Sequence, residues 1–228
     1  MSSPPWEALL NDPRLWRGGQ GILSRAEGKG LPSGFPELDR VLPWGGWPLG
    51  ALTEILPARE GIGELRLVIP ALTRLSQEGR WQVWVGPPYL PYAPALALYG
   101  VRLSRVVLIL PRTGRERLWA VEQALRSGVC GAVLAWPRIA DFRILRRLQL
   151  AAEVGRGVGL LTYRPQADIP HSPAALRLRL EPVPGGVLIH ILKRRGGGPL
   201  GPLCLTMDSA GTAPGGSQPV PMEDVAIT

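Results

Sequence analysis

The stretch from Gly45 to Leu65 restricts this chain more than any other, because it has the layout of a strand, a glycine-bearing loop and a helix. The apolar run Ala51 to Leu56 predicts a buried strand, and Leu65, Val68, Ile69, Leu72 and Leu75 then recur at helical spacing. A phosphate loop at this place needs G-x-x-x-x-G-K-[ST]: a glycine to open the turn, a lysine to reach the phosphates and a hydroxyl for magnesium. With Gly63 set on the second glycine, the other three positions fall on Ala58, Glu64 and Leu65. A carboxylate in the lysine's place repels phosphate, and leucine offers magnesium no oxygen. The stretch therefore predicts a strand-to-helix turn kept for packing, with no cofactor and no metal.

Downstream, strands alternate with helices. Trp81–Val85, Arg105–Leu110, Ala132–Ala135 and Val158–Thr162 have strand character; Pro94–Tyr99, Gly114–Gly128 and Asp141–Arg156 have helical character, with Gly128 as a stop. That βαβα order predicts an α/β fold with a mostly parallel sheet flanked by helices. Pro70 argues against a continuous first helix. Ser33, with Pro36 and Glu37 after it, predicts a helix start, and Phe35, Leu38 and Leu42 give that helix an apolar face. Toward the end, Leu176–Glu181 alternates strictly, Gly185-Gly186 breaks the run, and Val187–Leu192 and Pro202–Met207 follow. These predict antiparallel strands added at the C-terminal end. The expected division is an arm over residues 1–30, a core domain over 31–208 and a disordered tail over 209–228, where Gly, Pro and Ser dominate.

A chain of 228 residues, 45% of them hydrophobic, suffices for one α/β core. The net charge of +8 comes from many arginines and two lysines, Lys29 and Lys193. It favours an acidic partner, either a nucleic acid or a protein with an acidic face. Cys130 and Cys204 lie far apart in apolar surroundings and predict two buried thiols in a reducing compartment. With His171 and His190 they make no zinc site and no nucleophilic triad. No apolar segment approaches the roughly 20 residues that span a bilayer, so a cytoplasmic protein is expected. Trp6 and Trp16 on the arm dock either on the chain's own body or on another copy, which leaves a homo-oligomer open.

Two basic clusters are the candidate contact sites. Arg143, Arg146 and Arg147 share one helix face, although such faces are commonly only solvated. Lys193, Arg194 and Arg195 precede Gly196-Gly197-Gly198 and suit phosphate or a carboxylate-rich protein surface. The other tryptophans are expected in the core or at its edges, with Trp119 and Arg126 exposed.

Ser33, Gly34, Leu38, Asp39, Leu42, Gly45, Gly46, Pro48, Gly50, Glu54 and Ile55 resemble the opening of the RecA-type recombinase core. The resemblance implies a RecA-like fold and makes each catalytic position a test. Pro88 falls where those ATPases carry a water-activating glutamate. Ala132 to Trp136 ends without the magnesium aspartate, and Tyr163 and Arg164 replace a phosphate-sensing glutamine. The segments after Trp136 and Arg164 are short beside a recombinase's DNA loops. Metal-assisted phosphoryl transfer lacks its groups here, so no enzyme is expected.

Together with Leu15 to Gly18 and Leu192 to Gly197, this erased core resembles the ImuA proteins, relatives of RecA and of the cell-division inhibitor SulA. The resemblance implies an SOS-induced accessory factor of translesion DNA synthesis that contacts RecA, ImuB and an error-prone DNA polymerase, with DNA as a further candidate partner. Two alternatives stay open: a SulA-like inhibitor of the tubulin-like division protein, and a divergent RecA-type ATPase.

Overall fold

The computed structural model describes residues 28–137, 141–164, 172–198 and 200–207. The expectations for Trp6 and Trp16 in the arm, for His171 and for the tail from residue 209 fall outside the described residues. A short antiparallel ribbon, β1 (Gly30–Leu31) with β2 (Trp47–Pro48), encloses α1 (Pro36–Asp39). There follow β3 (Ala51–Pro57), α2 (Glu64–Gln77), β4 (Trp81–Val85), α3 (Ala93–Leu98), β5 (Val106–Ile109) and α4 (Gly114–Arg126). The chain continues with β6 (Cys130–Ala135), α5 (Phe142–Gly155), β7 (Val158–Thr162), β8 (Leu176–Val183), β9 (Gly186–Arg194) and β10 (Leu203–Thr206).

The main sheet has eight strands in the order β10-β9-β8-β3-β7-β6-β4-β5. Neighbours from β8 through β5 are parallel, and β9 and β10 are added antiparallel. Every residue of β3 is buried, as a central parallel strand covered on both faces requires. On one face Leu38 of α1 and Leu67 and Leu72 of α2 pack on Ile55, Trp84 and Leu160. On the other, Val121 of α4 and Leu145 and Leu148 of α5 pack on Leu52, Leu56 and Leu161. Each such leucine contributes about 1.5–3 kcal/mol on burial, which is why the helices' 3.6-residue apolar spacing was visible in the sequence. Where α5 ends against α4, a Cβ on Gly155 would lie 1.7 Å from the Leu125 carbonyl oxygen. Only hydrogen fits there.

The structure corrects four local expectations. Helix α2 runs unbroken through Pro70; the flanking Leu67, Ile69, Ala71 and Leu72 are all buried, and their packing offsets the one lost backbone bond. The residue capping α1 is Phe35, not Ser33. The Ser33 hydroxyl accepts from the Phe35 N–H at 3.1 Å, and the Ser33 N–H donates to Asp39 at 2.8 Å. Cys130 is buried but Cys204 is exposed, because β10 alternates and Leu205 takes the inward place. Finally, β8 is antiparallel to β9 yet parallel to β3. Its alternation places Leu176, Leu178 and Leu180 in the first core layer and reports which side is buried, not the direction of the neighbouring strand. Among the described residues no helix is long and apolar enough to cross a membrane.

Candidate functional site

Strands β3, β4, β6 and β7 are parallel, so they all end at one edge of the sheet, the edge where open α/β folds gather ligands. Residues 58–63 leave β3 at that edge and enter α2. Gly63 caps the helix with a φ of 112°, in the left-handed range that glycine tolerates best. The Glu64 side chain folds back over this loop. Its carboxylate accepts from the N–H groups of Gly61 at 2.9 Å, Ile62 at 3.0 Å and Gly63 at 3.1 Å. Successive amides converging at a helix N-terminus form an anion nest of the kind that cradles phosphate, and here the chain supplies the anion. A phosphate would have to displace this carboxylate and then remain beside its charge. Leu65 packs against the first core layer. The Ala58 N–H donates to the Leu180 carbonyl at 2.9 Å, continuing the strand ladder where a phosphate loop would open its turn.

The other three positions singled out in the sequence come to the same edge. Pro88 follows β4, Trp136 follows β6, and Tyr163 and Arg164 follow β7. Trp136 stacks obliquely on Trp84, with ring centroids 6.3 Å apart. Arg117 of α4 spans the gap: its Nη1 donates to the Gly86 carbonyl at 2.6 Å and to the Trp136 carbonyl at 3.0 Å. A capping box between Thr113 and Glu116 fixes the start of α4 and so the height at which Arg117 enters. Sequence reasoning missed Arg117, whose acceptors belong to other elements. Among the described residues no group of three His, Cys, Asp or Glu side chains is placed to hold a metal.

A second arrangement, also missed, lies inside the sheet. Glu54 stands opposite Arg177 in the β3–β8 ladder. The Arg177 Nε is 2.8 Å from its carboxylate, and the Tyr163 hydroxyl donates to the other carboxylate oxygen. All three are buried, Glu54 completely. Burial and the adjacent Glu54 charge push the Tyr163 phenol well above its ordinary range, so it stays a donor. A buried carboxylate is tolerated when it is paired and hydrogen-bonded, as here. The trio clamps the end of β7 to β3 and β8.

The basic clusters are partly committed to the chain's own structure. The Lys193 ammonium donates to the Ser172 carbonyl; burial, then neighbouring Arg195, pushes its pKa down, against the pull of Glu54. Arg194 donates to the carbonyls of Gly198 and Val41, each at 3.1 Å. Arg195 is exposed. On α5, Arg143 and Arg146 are exposed, but the Arg147 Nε donates to Glu122 of α4 at 2.7 Å, a hydrogen bond that raises the arginine's pKa. Ala58, Gly63, Glu64 and Leu65 thus form one site, while each basic cluster divides between structural and outward-facing cations.

A family model described as cell division inhibitor SulA matches residues 50–159, from the start of β3 into β7. The chain is 39% identical to the cell division inhibitor SulA of Edwardsiella piscicida, over 42% of this chain and 58% of that protein. It is 31% identical to protein ImuA of Caulobacter vibrioides, over 59% of this chain and 57% of the relative. The chain thus spans a little over half the length of these two relatives. With SulA of Serratia proteamaculans it shares 30% identity over 53% of this chain and 71% of the relative. On that coverage, and with the SulA model running from the start of β3 into β7, the chain belongs to the ImuA/SulA-like family.

Proposed function

We propose that this chain is a non-catalytic accessory protein of the SOS response, acting in translesion DNA synthesis through contacts with RecA, an ImuB-type partner and an error-prone DNA polymerase. The observation that carries this reading is the Glu64 carboxylate seated on the amides of its own cradle. A chain that fills its phosphate site from within has surfaces, not turnover, to offer. The parallel order β8-β3-β7-β6-β4-β5 fits a RecA-like core over residues 31–208, flanked by an arm and a tail, working in the cytoplasm. The name ImuA on a relative of 31% identity supports the mutagenesis role. Arg195, Arg143 and Arg146 are the outward cations we assign to acidic partners or DNA.

The SulA match over residues 50–159 favours a second reading, inhibition of the tubulin-like division protein. One experiment separates the two. In cells deleted for the gene, plasmid-borne wild type is expected to restore ultraviolet-induced mutation without making cells filament. Filamentation with no recovery of mutation would establish the second reading against the first. For the cradle, calorimetry with ATP and magnesium is expected to show no binding to wild type; Glu64→Lys, which empties the nest but still lacks the hydroxyl and both carboxylates, is expected to show no hydrolysis. Micromolar binding by the wild type would overturn the non-catalytic assignment.

A further inference from the structure

We propose that the cleft between the N-terminal halves of α4 and α5 docks an acidic peptide segment of a partner protein, one apolar side chain entering beside Trp119 and carboxylates meeting Arg115 and Arg143. The cleft holds about 690 Å³, and its apolar walls are Leu118, Trp119, Pro137 and Ile144, with Arg115 and Arg147 at its margin. That volume takes a leucine or an aromatic side chain with its neighbours. Trp119 is 61% exposed and Phe142, at the start of α5, 51% exposed. Large aromatics beside arginines are the side chains that dominate protein-binding energetics.

The charges decide the occupant. No carboxylate is among the described residues that line the cleft, and the three acidic groups nearest in sequence on α4 and at the start of α5 are used by the chain's own helices. Glu116 accepts from the N–H groups of Arg112 at 2.9 Å and Thr113 at 3.1 Å. Asp141 caps α5 by accepting from the Ile144 N–H at 2.8 Å, and Glu122 holds Arg147. Arg115 lines the cleft and Arg143 is the residue before the lining Ile144; both are exposed, and among the described residues no carboxylate pairs with either. A net positive rim over an apolar floor complements a peptide with carboxylates flanking an apolar anchor. Leu118, Pro137 and Ile144 offer no side-chain donor or acceptor to a base edge. Trp119 is the one aromatic among the lining residues, whereas single-stranded nucleic acid is held by stacking successive bases. The inference rests on the contact-based function proposed above and names one contact surface for it.

The test uses the full chain as bait for a phage library of random peptides about twelve residues long, enough to span roughly 40 Å when extended. The variants are Arg115→Ala/Arg143→Ala and Trp119→Ala, all at exposed positions, with circular dichroism to verify folding. Enriched peptides are expected to carry several Asp or Glu around a Leu, Phe or Trp and to lose about tenfold or more in affinity with either variant. The proposal is overturned by the absence of enriched peptides, by enriched peptides lacking an acidic excess, or by binding that both variants retain. It is equally overturned if oligo(dT), and not the peptides, is what those variants stop binding. The mutation-recovery assay runs in parallel. Recovery by wild type with no peptide bound sinks the cleft alone, whereas failure of wild type to restore mutation sinks the accessory function whatever the peptides do.

Discussion

Replacing Glu64 by alanine removes the anion on which three loop amides converge. A buried hydrogen bond to a charged group contributes about 1.5–3 kcal/mol. Gly61 is exposed, however, and Ile62 and Gly63 are half-buried, so water recovers much of that. The nearer measure is loss of a helix N-cap, about 0.5–2 kcal/mol, together with loss of a carboxylate from the positive end of α2, about 0.3–1 kcal/mol. We expect a destabilisation of about 1.5 kcal/mol. At a urea slope of about 2 kcal/mol per molar, the unfolding midpoint falls by roughly 0.7 M. Glu64→Gln keeps acceptor oxygen but loses the charge and should fall by about half as much. The vacated nest then accepts an external anion. Inorganic phosphate at ten times its dissociation constant stabilises by about 1.4 kcal/mol, so it should restore the alanine variant's midpoint and leave the wild type's unchanged, with sodium chloride at equal ionic strength as control. An unshifted midpoint in Glu64→Ala, or equal phosphate stabilisation of both proteins, would refute the claim that Glu64 occupies the cradle.

Three further outcomes follow from the interior. The folded-state pKa of Tyr163 lies above the ordinary phenol value of 10.0, so in strong alkali the unfolded chain loses this proton first. The corresponding stability is intact below pH 10 and declines as pH rises beyond it; urea midpoints at pH 8 and pH 11 should therefore fall further in the wild type than in Tyr163→Phe. Arg177→Met strands the Glu54 charge and should cost about 3–5 kcal/mol by urea denaturation, whereas Glu54→Leu/Arg177→Met should recover most of it; a double variant no better than the single would show that the pair is not coupled. Gly155→Ala forces a methyl toward the Leu125 carbonyl and should cost about 1–3 kcal/mol, seen as a melting temperature lower by about 2–4 °C per kcal/mol; an unchanged melting temperature would mean that the α4–α5 contact relaxes freely.

The elements that the sequence defined best are those whose signal is local. Trp81–Val85 and Val158–Thr162 coincide with β4 and β7, because each is an apolar run bounded by charged or turn residues. That a glutamate stands at residue 64, a proline at 88 and a tryptophan at 136 was equally legible, since these concern which residue stands at a position. The exposed cleft was not: its apolar floor comes from Leu118 on one helix and Ile144 on another, and neither helix alone distinguishes a floor from a core face.

Residue identity and short-range periodicity thus settled the alternation of strands and helices, and that a glutamate opens the helix after the first core strand. Tertiary structure alone decided that Glu64 turns inward onto the loop rather than out to solvent. It also decided that Arg117 bonds carbonyls 31 and 19 residues away, and that Glu54 meets Tyr163 across 109 residues of chain. Local sequence acts over about one helical turn or one strand pleat. Partners at these separations are selected by strand order, which the buried area of the whole sheet determines.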